Sequence, residues 1–147
     1  MKIFNKKAEF DYTILERIEA GIQLTGSEVK SLRGGHATLD AAFVRIIGSE
    51  AFLVNAHIYP YPFARLEGYD PKRTRKLLLH KNELIRLKTK LLSSNLTLVP
   101  LSWYNKASHI KLEVGLARGK KQYEKREKTR QEDQKRELER EYRGKVK

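Results

Sequence analysis

The chain has 147 residues, 39% of them hydrophobic and 33% charged, enough for one domain with a core of its own. Its 31 basic and 18 acidic side chains leave a net charge of +13, a field that attracts polyanions, nucleic acid first among them. With no cysteine there is no disulfide framework, thiolate metal site or thiol nucleophile, and no run of about 18 apolar residues offers a spanning helix.

The N-terminus lacks the apolar stretch of a secretory signal and any lipidation pattern, so a cytoplasmic protein with no membrane partner is expected. Its "NKKAEFDY" segment sets Asn5, Lys6 and Lys7 beside the first long strand. That strand is read from "YTILERIEAGI", where period-two alternation puts Tyr12, Ile14, Ile18, Ala20 and Ile22 on one side. Glu19 then faces the other way, and by periodicity alone it is a solvated strand residue. The stretch "TGSEVKSLRGG" reads as a helix, with Thr25 or Ser27 as N-cap and two glycines to end it. Arg33 falls in its last turn. Two apolar runs broken by Gly48-Ser49-Glu50 predict a hairpin over "AAFVRIIGSEAFLVNAHI".

Next comes "PKRTRK", in which Lys72, Arg73, Arg75 and Lys76 place four cations within five residues of an expected loop. Mutual repulsion makes such a cluster costly unless an anion relieves it, and phosphate suits both guanidinium and ammonium groups. The aromatics before it, Tyr59, Tyr61, Phe63 and Tyr69, either stack on bases or fill the rim of the fold, and the sequence leaves both open. A second helix is expected over "HKNELIRLKTKLL", with Leu84, Leu87 and Leu91 on one stripe. The last hairpin, "LTLVPLSWYNKASHIKLEVGL", contains Pro100, which lacks an N–H and should face an edge or a bulge.

About five antiparallel strands with two short helices predict a mainly β fold, a closed oligonucleotide-binding-type barrel over residues 1–115. Composition changes near Gly115 to Gly119, and residues 116–147 form a basic C-terminal tail with 13 basic and 7 acidic side chains. Enzymatic signals are weak. The four histidines stand at no metal-ligand spacing, so no metal and no cofactor are expected. The "GLARGKK" stretch fails as a phosphate loop because its glycines are one residue too close and Lys121 stands where a hydroxyl should be.

The blocks "NKKAEFDY", "EAGIQLTGSEVKSLRGG", "DPKRTRKLLLHKNEL" and "GLARGKKQYEKRE", in this order, resemble the SsrA-binding protein family, also called small protein B. The resemblance covers essentially the whole chain. It implies a bacterial, non-enzymatic adaptor that binds the tRNA-like part of transfer-messenger RNA. With elongation factor Tu, such proteins deliver that RNA to stalled ribosomes for trans-translation, which tags the nascent peptide and frees the ribosome. It further implies that Asn5, Tyr12, Glu19 and Lys111 contact RNA, which moves Glu19 from a bland reading to a functional one. Lys6, Lys7, Arg33 and the 72–76 cluster are electrostatic additions to that set.

In the tail the resemblance maps a short acidic-Lys-Arg motif to Glu124, Lys125 and Arg126, preceded by Gly119, Lys120 and Lys121. Aspartate is common at position 124. The implied tail is disordered when free and helical in the empty message channel beside the decoding centre. The residues agree with that: Glu, Lys, Arg and Gln dominate, no proline interrupts 119–147, and Glu-to-basic pairs such as Glu132–Arg136 recur at i,i+4. Leu138, Tyr142 and Val146 make too narrow a stripe for stable docking on the barrel. A monomer is expected.

Overall fold

The computed structural model describes residues 1–65, 67–120 and 122–145. Its elements run β1 (Lys2–Phe4), α1 (Ala8–Asp11), β2 (Tyr12–Ile22), α2 (Gly26–Arg33), β3 (Ala37–Thr38), β4 (Phe43–Ile47), β5 (Glu50–Val54), β6 (His57–Ile58), β7 (Arg75–Leu78), α3 (Lys81–Ser93), β8 (Thr97–Lys106), β9 (His109–Gly119) and α4 (Gln122–Lys145). Seven strands form an antiparallel sheet in the order β1-β8-β9-β2-β7-β5-β4, and β3 pairs with β6. The mainly β class holds. The hydrogen-bonded order is open, with β1 and β4 at its ends. No ladder joins those ends among the described residues, although β4 packs against β8.

The core lies inside the curved sheet. Trp103, Leu112, Ala20, Leu53 and Leu77 come from five neighbouring strands, and Leu32 and Leu87 from the two short helices close over them, all at most 2% exposed. Alternation explains the choice: on β9, Ile110, Leu112 and Val114 point inward while Lys111 and Glu113 point out. No described helix is long and apolar enough to cross a membrane.

Two irregularities shape the outer face of the sheet. On β2 the pairing with β9 shifts between Ile14 and Glu16, so Leu15 is an extra residue, a β-bulge. One extra residue reverses which side the even-numbered positions face. The periodicity places Tyr12 and Ile14 with Ile18 and Ala20, but the bulge separates them. Ile18 and Ala20 join the main core, while Tyr12 and Ile14 pack on the outer face with Ala8, Val99, Leu101 and Ala117. Gly115 makes that second cluster possible, because a Cβ there would lie 3.0 Å from Leu101 Cδ1 and 3.3 Å from Ile14 Cγ2. The second shift, between Pro100 and Ser102 on β8, is the bulge that Pro100 calls for.

Of the two N-cap candidates of helix α2, Thr25 and Ser27, the structure selects Thr25. The Thr25 side chain accepts from Glu28 N–H, and the Glu28 carboxylate accepts from Thr25 N–H in return, a capping box. Replacing Thr25 by alanine should lower unfolding stability by about 0.5–2 kcal/mol, read from denaturant titration, with the secondary structure unchanged.

Of the two states expected for the tail, the structure holds the helical one, α4, which is exposed at every position from Thr129 to Arg140. Strand β9 runs on through Gly119, past the composition break, because Leu116 and Ala117 are core residues at 2% and 0% exposure.

Candidate nucleic-acid interface

The outer face of the sheet is built from register. One row across five strands reads Lys2, Tyr104, Lys111, Gly21, Leu78, and the next reads Phe4, Ser102, Glu113, Glu19. Glu19 and Glu113 are directly opposed, which is unfavourable for like charges. Each is relieved separately. Arg17 donates to Glu113 Oε1 at 2.7 Å and to Glu9 Oε1 at 2.8 Å. Glu19 accepts from Tyr104 Oη at 2.5 Å and from Lys106 Nζ at 3.1 Å. The Tyr104 bond foremost, then Lys106 and the nearby Lys111 charge, hold the Glu19 carboxyl below the usual glutamate value. Burial and the Glu19 carboxylate push the Tyr104 phenol up, so it remains a donor. Glu19 is therefore a fixed, ionised acceptor on an exposed face. A carboxylate held this way can receive the amino or imino protons of a base edge, as phosphate-binding cations cannot.

The structure brings Glu19 and Lys111 together with Tyr104 and Lys106. It brings Tyr12 to the same side of the sheet, through the Leu15 bulge. Asn5 stands at the same end as Tyr12, where its Nδ2 donates to Pro100 O at 2.9 Å and its backbone N–H donates to Leu101 O at 2.8 Å. It thus braces the β8 bulge, and its Oδ1 is buried with no hydrogen-bond partner among the described residues. Lys6, with Asn5, Phe4 and Arg17, lines an open cleft of about 350 Å³. Lys7 lines a neighbouring recess of about 270 Å³ with Tyr12 and Asp40. Arg33 is exposed at the end of α2, and its Nη2 donates to Ser108 O in the β8–β9 turn at 3.2 Å.

Within the 72–76 cluster, Arg75 is corrected. The anion that relieves two of its four cations, Arg73 and Arg75, is the protein's own Glu28, on α2. Arg75 opens β7, is 0% exposed, and donates from Nε to Glu28 Oε2 at 2.6 Å and from Nη1 to Ala56 O at 2.9 Å. It cannot meet an RNA phosphate. Arg73 Nη2 donates to Glu28 Oε1 at 2.5 Å, and Lys76 Nζ pairs with Glu50 Oε1 at 3.1 Å. Lys72 remains on the exposed surface. Burial raises the Glu28 pKa, but the Arg73 and Thr25 hydrogen bonds and the Arg75 charge outweigh it and hold the group ionised below its usual value.

At the root of the tail, Gly119 ends β9 opposite Tyr12, and Lys120 is tied to α1. Its backbone N–H donates to Asp11 O at 2.9 Å and its Nζ to Glu9 O at 2.6 Å. Arg126 is exposed on α4. Lys121 lies outside the described residues, and the side chains of Glu124 and Lys125 lie outside what is described of α4.

A model of the SmpB protein family matches residues 2–144 of the chain. The chain belongs to the SmpB family. Among its relatives, the SsrA-binding protein of Sulfurihydrogenibium sp. (strain YO3AOP1) is 53% identical over 143 residues, 97% of this chain and 94% of the relative. That of Aquifex aeolicus (strain VF5) is 49% identical over 143 residues, 97% of this chain and 91% of the relative. A solved chain described as "tmRNA-SmpB: a journey to the center of the bacterial ribosome" is similar at a TM-score of 0.68 and 48% identity, covering 82% of this chain and 85% of that one.

Tyr104 and Lys106, which fix Glu19, were missed by reading the sequence. So was the exposed Leu78 beside Gly21, 49% exposed in the same row as Lys111. Tyr104 and Lys106 alternate on β8, which marks them as facing one way. That they face Glu19 of a strand two places across the sheet is set by register, which one strand's sequence does not carry.

Proposed function

We propose that this member of the SmpB family is an RNA-binding adaptor of trans-translation. It binds the tRNA-like part of transfer-messenger RNA and brings it, in company with elongation factor Tu, to bacterial ribosomes stalled on messages without a stop codon. The reading is supported by the ionised Glu19 acceptor held by Tyr104 and Lys106 beside Lys111, on an outer sheet face of a chain of net charge +13. Cations attract the RNA backbone without regard to sequence, and a fixed acceptor among them adds discrimination between base edges. In this role the protein acts as a cytoplasmic monomer and catalyses no step. Its tail, with Glu124, Lys125 and Arg126, occupies the empty message channel next to the decoding centre.

The test is competition at one ionic strength between a labelled tRNA-like fragment of transfer-messenger RNA and unlabelled ordinary transfer RNA. The fragment should be retained at a large excess of competitor. Equal displacement by both RNAs would reduce the protein to a general cationic RNA binder.

A further inference from the structure

The connection from β6 to β7 carries an aromatic cluster separate from the sheet face around Glu19. Tyr59, Tyr61 and Phe63 alternate with Pro60 and Pro62, and Phe63 and Tyr59 are 87% and 47% exposed. Single exposed apolar side chains are ordinary, but three rings within five residues of one loop are a surface. The loop is braced against the body. Tyr59 N–H donates to His36 O and Ile58 N–H to Pro71 O, both at 3.0 Å, and Tyr69 Oη donates to Ile58 O at 2.8 Å. Tyr69 is thus a strut, while the other three rings are held out on a backbone whose φ angles two prolines restrict.

The rings are not equivalent. Tyr59 packs on His57 at 4.3 Å between centroids with the rings tilted by 44°, and Lys30 Nζ sits 5.4 Å from the Tyr61 ring centre. Phe63 meets Tyr61 in a T-shaped contact at 5.5 Å and 67°, and at 87% exposure most of the Phe63 ring stays open to solvent. The recess at the foot of the loop, between Ser27, Pro60 and Tyr69, encloses no room for an inserted side chain. Flat contact on a ring is what this surface offers. Its surroundings are cationic: Lys30, Arg65 and Lys72 are exposed about it. Among the described residues between them, Glu67 is the one exposed carboxylate not turned to a backbone N–H, since Asp70 accepts from Lys72 N–H. On α2, Lys30 stands one turn from Arg33, which reaches the β8–β9 turn, and that hairpin carries Lys106 beside Glu19. Lys30, Arg33 and Lys106 thus lie on elements that lead from the loop toward the sheet face.

We propose that this loop is a second RNA contact, on which an unpaired nucleobase stacks against Phe63 while Lys30 and Arg65 meet the flanking phosphates. The assignment rests on the proposed RNA-binding function. Every base has a π-face, so such a platform needs no particular sequence, only an unpaired base within reach of these cations.

The test uses the full chain with Phe63→Trp. The native Trp103 is buried at 0% exposure, so a new response to RNA comes from position 63. Adding the tRNA-like fragment of transfer-messenger RNA should quench the new indole emission, in step with binding followed by anisotropy of labelled RNA. Phe63→Ala and Phe63→Leu should both weaken binding by about 5- to 150-fold, the range for loss of one stacked base, and Phe63→Tyr should restore it. If RNA binds with indole emission unchanged and Phe63→Ala at the parent affinity, the loop is no contact. If Leu serves as well as Phe, the contact is apolar and the stacking claim fails. A fragment that the parent chain itself does not bind would instead overturn the function on which the claim rests.

Discussion

Replacing Arg75 with methionine is expected to cost the fold about 3–5 kcal/mol, because it leaves the Glu28 carboxylate buried beside an apolar side chain. Glu28 is 1% exposed, and after the change its second oxygen keeps no comparable partner. The loss should appear as a lower denaturation midpoint with an unchanged slope. Changing both residues, Glu28→Met with Arg75→Met, should cost clearly less than the sum of the two single changes, since a paired removal leaves no uncompensated charge of that pair. The pH dependence has a definite sign. The Glu28 pKa is lower in the folded chain than in the unfolded one, so its contribution is complete above the ordinary glutamate value and is lost as pH falls through the folded one. In Arg75→Met the depression should shrink or reverse, and part of the acid sensitivity should move to higher pH. Equal stability of parent and Arg75→Met at neutral pH would show that the triad does not hold the fold.

Ending the chain after Lys120 should leave most of the affinity for the tRNA-like RNA fragment and abolish peptide tagging on stalled ribosomes in a reconstituted translation system. The cut keeps the contacts of Lys120 with Asp11 and Glu9 and the whole of β9. It removes α4, whose exposed Leu138, 66% accessible, contributes no core contact. A cut at the composition break, after Gly115, is a different experiment. It deletes Leu116 and Ala117 from the interior, and burying one leucine fewer already costs about 2–5 kcal/mol. That chain should fail to fold, and its silence would say nothing about the tail. Normal tagging by the chain ending at Lys120 would remove the tail from the mechanism.

Much of the fold was readable because its signals are local. The strand Tyr12–Ile22, both long hairpins, an N-cap at Thr25 or Ser27 and an edge or bulge at Pro100 each rest on neighbouring residues, and the structure selects Thr25 and the bulge. What was not readable depends on partners distant in sequence. Four adjacent cations look like a phosphate site, and nothing nearby shows that a glutamate 47 positions from Arg75 neutralises two of them. The closed barrel was inferred from strand number, but the hydrogen-bonded order is a property of pairing. Among the proposed contacts, Glu19 looks bland in sequence because its value lies in the hydroxyl and ammonium that reach it from β8. Tyr12 was placed on the wrong side because an added residue in a strand leaves no mark in composition.

The tie between Lys120 and α1 fixes where the tail starts, and this has a mechanical reading. Helix α4 has 24 residues, so at 1.5 Å per residue it is about 36 Å long. A rod clamped at one end reports length. In the proposed role, whatever occupies the channel within that span collides with the rod whatever its sequence, and a vacancy of that span admits it. The tail's poverty in apolar side chains then has a use: it offers no apolar adhesion that would seat the rod in a channel already filled, and its basic side chains meet the RNA walls only once the space is open.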